Sequence, residues 1–231
     1  MTKIKNKEKV CILKKETFNF VTSLKDMPMS KYEVNQNESD ILPNLLHLTN
    51  AEDIALAELE GFMYAELFLE NELDTKTHFN SAYICRIHEL AFKDLYSFAG
   101  KYRTTNISKG GFVFPAALYI PQSMENFEKD ILQKLPDKYD NRQQLIEDIA
   151  KVHAELLFIH PFREGNGRTA RILANIMAIK QGYAKLDFSP FTGELFPSYI
   201  EAVQRAADMN YTYMEKIIEK CFEDDVEPFD K

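Results

Sequence analysis

Residues 142–171 read RQQLIEDIAKVHAELLFIHPFREGNGRTAR, and this stretch decides the fold. Leu145, Ile149, Val152, Leu156 and Ile159 recur at alternating steps of four and three, which lays one apolar stripe along a helix expected over 142–159. Pro161 disfavours helical geometry in the residue before it, so the helix stops at His160. After Gly165-Asn166-Gly167 a second helix is expected over about 168–181, with Ile172, Leu173, Ile176 and Met177 facing inward and Gly182 as its stop. Two apolar helices joined by a short glycine-bearing turn are the centre of a mainly α protein.

Outward from this centre the pattern stays helical. Thr49 and Glu52 form a capping box ahead of Leu56, Leu59 and Met63, so a helix starts near Asn50. A further helix is expected over 80–98, stopping at Ala99-Gly100, and a last one carries Met214, Ile217, Ile218 and Cys221. The exception is Tyr102 to Ile120, where β-formers stand on both sides of Ser108-Lys109-Gly110-Gly111 and predict a hairpin with a flexible tip. A lone hairpin cannot stabilise itself and must lean on the helices. The expected fold is therefore a helical bundle with one β-flap. Residues 1–42, basic and then polar and closed by Pro43, read as an N-terminal extension; residues 43–222 read as the domain, and 223–231 as an acidic tail.

The chain of 231 residues, 45% hydrophobic and 28% charged, has the composition of a globular domain. A net charge of −8 argues against a general nucleic-acid binder, whose phosphate footprint needs a basic excess. It leaves room for a mononucleotide, which needs only a few local donors. Cys11, Cys85 and Cys221 have no paired spacing and read as small hydrophobes, as suits a reducing cytoplasm. The run Val10–Leu13 is too short for a signal-peptide core, and nothing approaches the length of a membrane span. A cytoplasmic protein without membrane contact is expected.

The chemistry concentrates in His160–Arg171. A glycine turn feeding a helix start presents unpaired backbone N–H groups and the positive end of the helix dipole, a ready anion site. Arg168 and Arg171 stand three apart in the first turn of that helix, where cations oppose the dipole. A bound polyphosphate would explain them, since guanidinium forks match phosphate oxygens. Glu164 in the same loop would repel such a ligand unless a cation bridged them, and Mg²⁺, held by one carboxylate with phosphate oxygens and water, is the expected bridge. The neutral imidazole of His160 can take a proton from a hydroxyl near pH 7. Taken singly, each feature has a plain structural reading: a histidine before proline, a Gly-Asn-Gly turn, two arginines paired with acids. A zinc site on His153 and His160 lacks a third ligand of suitable spacing, and His47, His78, His88 and His153 read as surface or core residues.

His-Pro-Phe-Arg-Glu-Gly-Asn-Gly-Arg-Thr-Ala-Arg at 160–171 resembles the signature of Fic-domain proteins at every diagnostic position. Tyr96–Arg103 and Asn106–Gly111 resemble the helix end and flap that precede it, and the likeness runs over about 42–222. Many relatives have Trp where Phe98 stands. The resemblance implies a Fic fold, a helical bundle with one β-hairpin flap over the active site, and transfer of AMP from ATP to a hydroxyl side chain (Tyr, Ser or Thr) of a target protein with release of pyrophosphate. It implies that His160 is the general base and that Glu164 holds Mg²⁺ between the α- and β-phosphates. The backbone of Gly165, Asn166 and Gly167 would cradle those phosphates, Arg168 and Arg171 would bind the departing tail, and Phe162 would anchor the loop in the core. Lys109 and Gly110 would sit at the nucleotide mouth, and the flap edge would pair with an extended stretch of the target.

Gly165-Asn166-Gly167-Arg168 differs from the pattern of Doc-like kinases, which favours AMP transfer over phosphorylation; relatives with nearly the same motif transfer other nucleotides or phosphocholine. A non-catalytic module that binds nucleotide or partner proteins is the alternative of another class, and His160 and Glu164 argue against it. Many relatives carry an inhibitory helix whose Glu pairs with the second signature arginine, here Arg171. Leu56-Ala57-Glu58-Leu59-Glu60-Gly61 has the Glu-Gly end of that motif without its hydroxyl residue, and sits in a core helix. A separate inhibitory protein or self-assembly is then the expected brake, if there is one.

Overall fold

The computed structural model describes residues 41–109 and 112–222. Residues 1–40 of the expected extension, Gly110 and Gly111 of the hairpin tip, and the acidic tail lie outside the described residues. Seven α-helices are found among the described residues: α1 (Ala51–Glu72), α2 (Ser81–Phe92), α3 (Ile120–Asp130), α4 (Arg142–Ile159), α5 (Asn166–Lys180), α6 (Phe196–Arg205) and α7 (Thr212–Cys221). One two-stranded antiparallel sheet joins β1 (Ser108–Lys109) to β2 (Phe112–Val113), with Ser108 opposite Val113 and Lys109 opposite Phe112. The mainly helical reading with one flap is what the structure shows.

Helix α4 runs over the predicted span, but more than the predicted stripe is buried. Ile146, Ala150, His153, Ala154 and Leu157 join Leu145, Ile149, Val152, Leu156 and Ile159. A helix with apolar residues on so much of its circumference is a central one, and α4 packs against α5, α6 and α7. The cap of α1 falls one residue later than the capping box predicts: the side chain of Asn50 accepts from the N–H of Glu52 at 2.7 Å. Helix α2 is capped by Asn80 and ends at Phe92, six residues short of the predicted Phe98. The chain turns there, and the Leu95 and Tyr96 N–H groups both bond back to the carbonyl of Phe92.

Gly61 shows why α1 and α2 pack so closely. A Cβ at that position would stand 1.9 Å from the carbonyl oxygen of Ala91. The Glu60-Gly61 pair is thus a helix-packing feature of the core. Gly61→Ala gains about 1 kcal/mol of helix propensity, but it forces two helices apart, and overpacking of this kind costs roughly 1–3 kcal/mol. A net loss of stability is expected, read as a lower urea midpoint at unchanged slope.

The flap is shorter than the predicted hairpin: beyond the sheet Phe114 N–H still bonds to Ile107 O at 3.3 Å, but further out Arg103 bonds to the signature loop. Arg103 donates from its backbone to Pro161 O at 2.8 Å and from Nε to His160 O at 2.8 Å. Its Nη1 reaches Thr105 O at 2.9 Å and its Nη2 reaches Pro115 O at 2.5 Å. One buried guanidinium therefore ties both stems of the flap to the residue that follows α4.

Candidate active site

His160 occupies the left-handed region, φ 53 and ψ 59, as the C-terminal residue of α4. Its N–H still bonds to Leu156 O, while Pro161 prevents a further turn. Two of its contacts help to direct the side chain. Nδ1 lies 2.8 Å from Leu157 O, and the ring stacks on Phe114, just past β2, at 3.8 Å. A carbonyl can only accept, so Nδ1 carries the proton and Nε2 is left as the basic atom. Burial lowers the His160 pKa to about 3; the Leu157 bond opposes that shift, and the charges of Arg103 and Lys109 add to it.

Past His160 the loop is built from the inside. Phe162 is wholly buried and stacks on His88 at 4.0 Å. Asn166, 1% exposed, accepts from Phe162 N–H and donates to Phe162 O, both at 2.8 Å. Its side chain therefore closes the loop, and what it can offer an anion is its backbone N–H. Gly165 caps α5 at φ 76, and a Cβ there would come within 2.7 Å of Phe92 and 2.9 Å of Phe62. A Cβ at Gly167 would meet nothing within 4 Å, so that side of the first turn faces open space. Helix α5 has no side-chain cap, so no cap side chain accepts from its first N–H groups.

The charged residues gather round this helix start. Glu164 Oε1 accepts from Gly165 N–H at 2.8 Å and lies 3.5 Å from Arg168 Nη2. Burial raises its carboxyl pKa, Arg168 opposes that shift, and the charge of Glu58 reinforces it. Lys109, half-buried on β1, also faces inward: burial lowers its pKa, with Glu164 opposing and Arg168 and Arg171 adding. It is not a fully solvated tip. Gly110 lies outside the described residues.

The two arginines diverge. Arg168 turns toward α1, where its Nη2 donates to Glu58 Oε2 at 2.6 Å and its guanidinium lies 4.6 Å from the Phe62 ring. Glu58 is held in turn by the hydroxyl of Tyr96 at 2.6 Å. The cation at the helix start is thus compensated within the chain, by Glu58 and Glu164, and does not by itself require a polyphosphate. Arg171 turns the other way, to Phe188 and Tyr199, with 5.9 and 6.0 Å from its guanidinium carbon to the ring centres. Glu60, the acid of the Glu-Gly pair in α1, is exposed.

Sequence reasoning gave no role to Arg103, Glu58, Tyr96 or His88, although all lie in segments it read. His88 takes Gly100 N–H on Nδ1 at 2.8 Å and faces Glu164 O from Nε2 at 3.1 Å. Nε2 must therefore donate, and a neutral imidazole bridges the end of the α2 turn to the signature loop. Among the described residues no group of three or more His, Cys, Asp or Glu could hold a metal ion. His47 and His78 are exposed, and His88 and His153 are buried in the core.

Three buried histidines have consequences for acid stability. Burial lowers His88, His153 and His160 each to about 3. Below pH ~6.5, the ordinary histidine value, the unfolded chain binds protons that the folded one refuses. The stability they contribute is complete above that pH and is lost as pH falls toward 3. Unfolding between pH 5 and 6 should take up as many as three protons, at about 1.4 kcal/mol per pH unit for each. Asp148 and Glu155, whose carboxyls are raised by burial, act in the opposite sense at lower pH. Urea titrations at half-unit steps from pH 7.5 to 4.5 check the slope.

Comparison with known proteins agrees with this architecture. The Fic/DOC family model matches residues 78–178. The chain is 30% identical over 138 residues to protein adenylyltransferase fic-1 of Caenorhabditis briggsae, covering 54% of this chain and 25% of that protein. It is 29% identical over 164 residues to protein adenylyltransferase VbhT of Bartonella schoenbuchensis, covering 67% of this chain and 33% of that one. It thus spans a third or less of these relatives. Among solved structures, the N-terminal FIC domain of Bep8 from Bartonella sp. 1-1C superposes with a TM-score of 0.67 at 20% identity, over 83% of this chain and 94% of that one. BepC from Bartonella tribocorum, solved with bound AMPPNP, gives 0.65 at 21% identity, over 85% and 97%. The signature loop and the helices on either side of it thus lie in the segment that matches the Fic/DOC family model, residues 78–178, and the helical fold is that of the solved Fic domains.

Proposed function

We propose that this chain transfers AMP from ATP to a hydroxyl side chain of a target protein and releases pyrophosphate. The observation that carries the reading is the fixed tautomer of His160, whose basic Nε2 belongs to a loop that opens directly into an uncapped helix start. Nε2 takes the proton of the target hydroxyl as its oxygen attacks the α-phosphorus. The bond from that phosphorus to the α–β bridging oxygen breaks, and the electron pair leaves with pyrophosphate. The N–H groups at the start of α5, with Lys109, Arg168 and Arg171, supply charge for the phosphates. Phosphate anions next to His160 oppose the effect of Arg103 and Lys109, so the base strengthens when the nucleotide arrives.

The residues present suit Mg²⁺. Glu164 offers one carboxylate beside the anion site, and a cation there would favour its charged form against the effect of burial. Bound Mg²⁺ would neutralise phosphate charge, with Glu164 as its protein ligand. The flap suits an extended stretch of target: Val113 is 73% exposed, and a two-stranded sheet leaves edges to pair with. ATP as substrate and the free thiols of Cys85 and Cys221 fit a reducing, cytoplasmic setting, of the kind a bacterial cell provides. Among the described residues no helix is long and apolar enough to cross a membrane. The Glu-Gly pair of α1 serves helix packing, which suits a brake on Arg171 supplied by a separate protein or by self-assembly.

The test is incubation with α-labelled or γ-labelled ATP and candidate target proteins. Label reaching protein from the α position alone supports AMP transfer. Label from the γ position shows phosphoryl transfer and overturns the reading, and nucleotide binding with no transfer under any condition reduces the domain to a binding module.

A further inference from the structure

Arg171 is held from outside the signature by a chain of hydrogen bonds that begins and ends on α5. The carbonyl of Ala170 lies 3.2 Å from Nδ1 of His153, and Nε2 of that ring lies 2.6 Å from the hydroxyl of Tyr199. The Tyr199 hydroxyl is hydrogen-bonded in turn to the side chain of Arg171. His153 belongs to α4 and Tyr199 to α6, and they are 1% and 4% exposed. Phe188 stacks on the His153 ring at 5.2 Å and also lies beside the Arg171 guanidinium.

The direction of the chain follows from what each group can do. A carbonyl only accepts, so the proton is on Nδ1 and Nε2 has a lone pair. Nε2 therefore takes the Tyr199 O–H, and the hydroxyl oxygen is left facing Arg171 as an acceptor, which suits a group that can only donate. Burial keeps His153 neutral, and the nearby Arg171 charge acts in the same sense. The polarity of the chain has one solution. Without the histidine the hydroxyl could rotate its proton toward the guanidinium; with it, the oxygen is held in the accepting orientation.

We infer that Tyr199, oriented by His153, is a positioning residue that aims Arg171 at the phosphate tail of the nucleotide. This rests on the reading above, in which Arg171 meets the part of ATP that AMP lacks. The effect should therefore depend on the ligand, which a general loss of packing would not. In calorimetric titrations with ATP and with AMP, in one Mg²⁺ buffer, Tyr199→Phe should weaken ATP about five- to tenfold and leave AMP within twofold. Arg171→Ala should weaken ATP at least as much, and the double variant should lose no more than Arg171→Ala alone. His153→Asn keeps a donor for Ala170 O and removes the Nε2 acceptor; it should act in the same direction, and it decides the matter if Tyr199→Phe does not fold. Equal weakening of ATP and AMP, or no weakening while Arg171→Ala weakens ATP, overturns the inference and leaves the proposed function standing. A wild-type protein that does not bind ATP overturns both.

Discussion

His160→Ala should lower the rate of AMP transfer by at least about a hundredfold, because a positioned general base contributes typically 10²–10⁴-fold. Nucleotide affinity should change little, since the imidazole is placed for the hydroxyl and not for the phosphates. Alanine does more than remove a base, however. Residue 160 is left-handed, φ 53, where most side chains carry a strain of about 1–2 kcal/mol. His160→Asn is the cleaner variant. Asparagine tolerates this conformation and its amide can replace the Nδ1 donation to Leu157 O, yet it has no basic nitrogen. If both variants lose turnover in single-turnover assays with α-labelled ATP while melting close to wild type, the loss belongs to the base. Retained turnover in the asparagine variant would remove His160 from the chemistry. In the wild type the neutral base persists well below the ordinary histidine value, because burial lowers its pKa. The acid limb of the rate profile should accordingly lie below pH ~6.5, and acid unfolding rather than protonation of His160 should set the lower limit of activity.

The helices around this histidine were legible to different degrees for physical reasons. Helix α4 was found at its true limits because its apolar stripe from Leu145 and the His160-Pro161 stop are both local signals. Helices α3 and α6 had no counterpart in the sequence reading. Both have proline in the first turn, at Pro121 and Pro197, where the ring starts a helix by lacking an N–H that would be unpaired anyway. The hairpin was overdrawn because β-propensity does not register Arg103, whose guanidinium takes up the carbonyls of the flanks. In the site, His160, Glu164 and the glycines were legible since they lie together in sequence. Asn166 was legible as important, but its side chain closes the loop. Glu58, Tyr96 and His88 were not legible, because their partners lie 110, 38 and 76 residues away along the chain and only packing brings them together.

Glu58 is the residue of this group whose loss should reach furthest. Its two oxygens are fully used, one by Tyr96 and one by Arg168, and the Glu58–Arg168 pair is only 12% and 18% exposed. Removing one partner of a buried pair leaves the other charge uncompensated, which costs 3–5 kcal/mol at full burial. Some exposure moderates this, so Glu58→Ala should lose about 2–3 kcal/mol in urea unfolding. The second consequence is chemical. Arg168 now divides its attraction between Glu58 at 2.6 Å and Glu164 at 3.5 Å. Without Glu58 it has one carboxylate left, and the repulsion that Glu58 exerts on Glu164 is also gone. Glu164 should then pair more closely with Arg168 and be less available to a metal ion. In the proposed AMP transfer, Glu58→Ala should need several-fold more Mg²⁺ for half-maximal rate. Glu58→Gln, which keeps an acceptor for Arg168 but not the charge, should recover part of the stability and little of the Mg²⁺ response. Unchanged Mg²⁺ dependence in a destabilised Glu58→Ala protein would confine Glu58 to the fold and separate it from the metal ligand.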